Sequence, residues 1–94
     1  MMWDIKQTKR FARLYKKLHD NIVVDVDEAI EKIQHNPEIG DRKVGDLAAL
    51  HVLKFRSNGQ LYLLGYTLDE TIRLIYLESV GSHENFYRDL KRSD

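Results

Sequence analysis

Residues 50–67, LHVLKFRSNGQLYLLGYT, are the stretch on which the fold turns. From Leu50 to Arg56, His51, Leu53 and Phe55 alternate with Val52, Lys54 and Arg56. A period of two marks a strand, because successive side chains leave opposite faces. Asn58-Gly59 comes next, and a type I′ hairpin turn needs positive φ at both central residues, which these two types tolerate. Gln60 to Thr67 then returns as a second strand through Leu61, Tyr62, Leu63 and Leu64. Asp69-Glu70 makes another turn. Thr71 to Val80, rich in β-branched and aromatic residues, reads as a third strand that Gly81 ends.

Outward from this meander the period changes. Trp3 to Lys6 is a short first strand. Thr8 is a good helix N-cap, and Phe11, Leu14, Tyr15 and Leu18 follow at helical spacing. His19-Asp20 is a break, after which Asp20 or Asn21 can cap a second helix carrying Val23, Val26, Ile30 and Ile33. Asn36-Pro37 ends that helix, since the residue before proline avoids the helical region. Gly40 and its polar neighbours form a loop. On the far side of the meander, Ser82 can cap a final helix from His83 to Lys91. The expected order is β-α-α-β-β-β-α, an α+β fold in which a helical hairpin packs on a small, mainly antiparallel sheet.

The 94 residues make one domain spanning 1–94, with no repeat, low-complexity segment or linker. With 43% hydrophobic and 32% charged residues, the chain has the composition of an ordinary soluble domain. No apolar run approaches the roughly 20 residues needed to span a bilayer, so no membrane partner is expected. The N-terminus lacks the apolar core of a signal peptide, and a cytoplasmic protein is the simple reading. There are no cysteines, which excludes disulfides and thiolate metal sites. Lysine plus arginine equals aspartate plus glutamate at 15 each, so net charge carries no argument for nucleic acid. The distribution says more. Lys6, Lys9, Arg10, Arg13, Lys16 and Lys17 make the N-terminal part basic, while Asp25, Asp27, Glu28 and Glu31 make the next stretch acidic. A neutral chain can still present one basic face to phosphates.

The residues with chemical potential cluster late. His83 follows a strand end, and an imidazole titrates near neutral pH. Glu84 adjoins it, and Tyr87 lies four residues on, on the same helical face. Phe86 is expected to anchor the last helix to the sheet. Lys54 and Arg56 share one strand face about 7 Å apart, close enough to clamp one phosphate and neutralise charge in a transition state. An exposed sheet face dotted with cations explains the same spacing without any function. Arg73 is expected on the third strand, where it can join them. His51 aligns with Leu53 and Phe55 and reads as a buried structural residue. The four histidines, His19, His35, His51 and His83, contain no close ligand pair, so no metal is expected. With no GxGxxG, P-loop or nucleophile elbow, no cofactor is expected either.

Two stretches carry a family resemblance. Leu53-Lys54-Phe55-Arg56-Ser57-Asn58-Gly59 is similar to the basic strand and turn of RelE-like proteins. Val80-Gly81-Ser82-His83-Glu84-Asn85-Phe86-Tyr87-Arg88-Asp89-Leu90 resembles RelE-like and YafQ-like endings. Over nearly its whole length the chain looks like a toxin of the RelE/ParE superfamily from a type II toxin–antitoxin pair. The resemblance implies a metal-independent, ribosome-dependent mRNA endonuclease, an mRNA interferase that arrests growth. It implies His83, Tyr87, Lys54 and Arg56 as catalytic positions. Arg73, Arg88 and Lys91, read from the charge distribution, are further cations expected to bind substrate. It also implies a cognate antitoxin protein, and the ribosome and mRNA, as partners. Two basic positions of the RelE pattern are Val52 and Leu61 here. That departure leaves room for the alternative activity of the superfamily, inhibition of DNA gyrase without RNA cleavage.

Overall fold

Thr8 starts the first helix as its residue type dictates. Its Oγ1 accepts the Phe11 backbone N–H at 3.1 Å and donates to the Glu78 carbonyl at 3.2 Å, tying helix to sheet. The computed structural model describes residues 2–43, 45 and 49–91. Strand β1 (Asp4–Gln7) is followed by helices α1 (Lys9–Lys16) and α2 (Asp20–His35). A short 3-10 turn (Pro37–Ile39) and a two-residue strand β2 (Asp41–Arg42) lead to β3 (His51–Ser57), β4 (Gln60–Asp69) and β5 (Leu74–Ser82). Helix α3 (His83–Lys91) closes the described chain. This is the expected α+β fold, with a helical hairpin on a mainly antiparallel sheet.

The sheet order is β1-β5-β4-β3-β2, with β1 parallel to β5 and the other pairs antiparallel. Asn58 and Gly59 have φ of 52° and 79°, the two positive values a type I′ turn requires. Between β4 and β5 the register shifts. Gly65 pairs with Ser79 but Tyr66 pairs with Leu77, leaving Glu78 as the extra residue of a bulge. Glu78 is used there, since its carboxylate accepts the Thr67 hydroxyl at 2.8 Å.

Several boundaries differ from the sequence reading, each for a local reason. The N-cap of α2 is His19, whose side chain makes no capping bond, and Asp20 instead sits in the first turn. A carboxylate there is favoured by the helix dipole without acting as the cap. The third meander strand starts at Leu74 and not at Thr71. Asp69 Oδ1 accepts the Thr71 N–H at 3.2 Å, and Arg73 lies in the left-handed region at φ 52°, so the turn runs on through Arg73. Strand β2 is new. Two exposed polar residues carry no alternation that could announce a strand.

The sheet is covered on both faces. Under the helical hairpin, Phe11, Val26 and Ile33 pack with Leu64, Tyr66 and Ile75. On the opposite face Phe86 of α3 packs with Leu50, Val52 and Leu63, flanked by Tyr87 and Leu90. Of the apolar sheet residues, Leu63 and Ile75 are fully buried, one on each face, and Leu61 is half-buried. Among the described residues no helix is long and apolar enough to cross a membrane.

Candidate functional site

Strand alternation places Lys54 and Arg56 on the face that carries α3, since Val52 on the same strand joins the Phe86 cluster. Both cations are exposed. Arg56 pairs with Leu61 of β4, and the next β4 residue, Tyr62, pairs with Ser82 at the end of β5. Leu61 thus stands between Arg56 and His83, and two strand spacings put their backbones roughly 10 Å apart. Lys54 pairs with Leu63, and Leu63 with Gly81, so Lys54 lies about 7 Å further along the strand.

Arg56, Gly59, Gln60, Leu61, Ser82, His83 and Glu84 line one open depression of about 300 Å³. His83 and Glu84 occupy the first turn of α3 and are exposed. The unpaired N–H groups of a helix N-terminus favour an anion, and the Arg56 guanidinium adds a full positive charge. Arrayed this way, the depression has an imidazole able to move a proton and a cation able to stabilise a developing oxyanion. A larger depression, about 590 Å³, lies at the other end of the sheet and includes Glu38, Asp69 and Glu70 with Arg42 and His51. Its three carboxylates disfavour a phosphodiester. His51 is buried there and stacks on Tyr66 at 5.3 Å, in line with the structural role expected of it. The Tyr66 hydroxyl donates to the Pro37 carbonyl at 2.6 Å and accepts the Gly40 N–H at 2.9 Å, and burial pushes its pKa up.

The other expected site residues are placed as follows. Lys54 lines a separate groove of about 350 Å³ along the β3 edge, with Arg56, Asp25, Glu28 and Lys32. Tyr87 does not line the His83 depression. It packs edge-on against Phe86 at 5.0 Å, with Lys43 Nζ 5.7 Å from its ring centroid. Arg73 does not join Lys54 and Arg56. It lies in the turn before β5, whereas His83 follows the end of β5, and ten residues of extended chain separate them by roughly 30 Å. Arg88 is exposed on α3 with its Nε 3.9 Å from Asp89, and Lys91 is exposed at the last helical residue. Arg92, which follows them in the sequence, is outside the described residues. Gln60 and Ser82 line the depression without having been singled out. The signal for Gln60 is the Asn58-Gly59 turn itself, which returns the chain beside Ser57. Phe86 is fully buried, the anchor its position suggested. Among the described residues no group of three or more His, Asp or Glu is arranged to hold a metal ion.

Comparison with known proteins agrees with this fold. A family model described as a ParE-like toxin of type II bacterial toxin–antitoxin systems matches residues 5–91. No curated protein matches the chain. Among solved structures, the RelBE2 toxin–antitoxin complex of Mycobacterium tuberculosis superposes with a TM-score of 0.72 at 22% identity, over 88% of this chain and 100% of that one. The intact E. coli RelBE complex gives 0.70 at 20% identity, covering 84% and 94%. The isolated E. coli RelE toxin gives 0.71 at 20% identity, covering 98% and 88%. These likenesses share the fold, and the family model spans nearly the whole chain. The chain belongs to the ParE-like toxins of type II bacterial toxin–antitoxin systems.

Proposed function

We propose that this toxin is a metal-independent mRNA endonuclease that acts on translating ribosomes. The observation that carries the reading is the shared depression of His83 and Arg56. In such a cleavage the ribose 2′-oxygen attacks the adjacent phosphorus and the bond to the 5′-oxygen breaks. The 2′-hydroxyl proton goes to a base, and the leaving 5′-oxygen takes a proton from an acid. His83 serves as one of these two groups. Among the described residues Glu84 is the one carboxylate lining the depression, and so the nearest candidate for the other. Arg56 stabilises charge on the phosphorane, with Lys54 further along the strand holding a neighbouring phosphate. Tyr87 acts from the helix that presents His83, and Arg88 and Lys91 meet the RNA backbone beyond the scissile bond. Arg73 takes no part in this reading, because of its distance.

A cognate antitoxin is the second partner, supported by the RelB-bound structures of similar folds. The test is a primer-extension map of a reporter mRNA during brief induction in bacteria, beside His83→Ala. Discrete cuts inside translated codons, lost in the variant, support the endonuclease. Intact mRNA with growth arrest and a DNA-damage response sinks it in favour of DNA gyrase as target.

A further inference from the structure

We propose that Gly65 is a positioning residue for His83, acting through Phe86, so that a missing side chain in the middle of β4 sets where the imidazole stands. The inference rests on the cleavage reading above. Helix α3 leaves β5 without a loop, with Ser82 the last strand residue and His83 the first helical one. A nine-residue helix with one end covalently fixed takes its tilt from what its buried side chain meets. Phe86 is that side chain, one turn after His83 and fully buried. A Cβ on Gly65 would lie 2.7 Å from Phe86 Cζ, and 3.3 Å from both Phe86 Cε1 and Leu50 Cδ1. Glycine weakens a strand interior, and its presence in one marks close approach by another group. The Phe86 ring is fully buried and packed edge-on against Tyr87 at 5.0 Å, so it shifts only by moving its neighbours. Any side chain at position 65 therefore lifts the ring and tilts α3, carrying His83 away from Arg56. Gly81 makes the contrast. A Cβ there would meet Phe86 at 3.8 Å, an ordinary contact, so alanine at position 81 leaves the seat intact.

Cleavage by the purified chain on translating ribosomes tests this. A displacement of order 1 Å is enough for Gly65→Ala to lower the rate at saturation by roughly 10- to 100-fold, while the half-saturating ribosome concentration holds. Shortening the ring in the double variant Gly65→Ala/Phe86→Leu restores most of the rate, and Gly81→Ala keeps the wild-type rate. A Gly65→Ala protein that cleaves normally, or a double variant as slow as the single, overturns the proposal. Should Gly65→Ala not fold, Phe86→Leu alone is the reading variant: a lower saturated rate supports the proposal, and an unchanged one overturns it. If the wild-type chain cuts no RNA, the cleavage reading fails by itself. The positioning is then read from the His83 ring resonances. Displacement in Gly65→Ala and recovery in the double variant support it, and unchanged spectra overturn it.

Discussion

The two faces of the sheet differ in how heavily they are covered. The helical hairpin spreads two helices over β3, β4 and β5, and Val26, Ile33, Leu64, Tyr66 and Ile75 lose all contact with water beneath it. Among the described residues the opposite face is covered by α3, where Phe86 packs with Leu50, Val52 and Leu63. Beside the first turn of α3, Arg56 and Leu61 of the sheet and His83 of the helix line an open depression. The deeper apolar packing lies on one side and the candidate site on the other. The thin cover leaves the cations of β3 exposed, and it also makes the placement of one short helix matter for the candidate site.

The comparison predicts that substitutions on the two faces separate cleanly. The largest effect is expected from His83→Ala. Loss of a general acid or base lowers RNA cleavage by about 10²- to 10⁴-fold. Because His83 is exposed, its removal leaves the thermal midpoint nearly unchanged, as calorimetry beside the cleavage assay will show. A variant that loses activity by melting would break the division between faces. Ile33→Ala, on the hairpin side, is the converse. Truncating a fully buried isoleucine costs about 2–5 kcal/mol in denaturant unfolding, while the folded fraction cleaves at the wild-type rate.

A smaller loss is expected at Tyr66→Phe, which removes the hydroxyl bridging the Pro37 carbonyl and the Gly40 N–H. Leaving those groups without their partner costs about 1–3 kcal/mol, again without change in cleavage. The smallest effect concerns pH. The Tyr15 phenol donates to Asp27 Oδ1 at 2.6 Å, and that bond, with burial and the nearby carboxylate charge, pushes its pKa from 10.0 to about 12. The folded state therefore disfavours phenolate. The stabilisation is complete below pH 10 and is lost as pH rises through about 12. Phenolate absorbance should show Tyr15 titrating late beside the buried Tyr66, and Tyr15→Phe should remove one tyrosine's share of that late absorbance. If the late absorbance is undiminished in the variant, the bond to Asp27 does not raise the Tyr15 pKa.

Legibility tracked the range of the interaction. Thr8, Asn58-Gly59 and Asn36-Pro37 act on their immediate neighbours, so the first helix start, the hairpin turn and the end of α2 could be read in the chain. His83 and Arg56 were likewise legible as residue types placed on a helix start and a strand face. Their shared depression was not legible, because it depends on the pairing of Arg56 with Leu61 and of Tyr62 with Ser82. Arg73 fell outside the site for a similar reason. A left-handed residue prolongs the β4–β5 turn, and the length of β5 then separates Arg73 from His83.

The sequence by itself determined the periodicities, the turns and caps, and hence an α+β chain with a hairpin of helices and a meander. These depend on φ preferences and on side-chain spacing along the backbone, which are properties of adjacent residues. Only the tertiary structure decided that α3 covers the face opposite the hairpin and that Gly65 makes room for Phe86. The same packing decided that Tyr87 faces Lys43 and not the depression. Those outcomes follow from which apolar surfaces meet, and surfaces far apart in the chain meet only when the sheet has set its register.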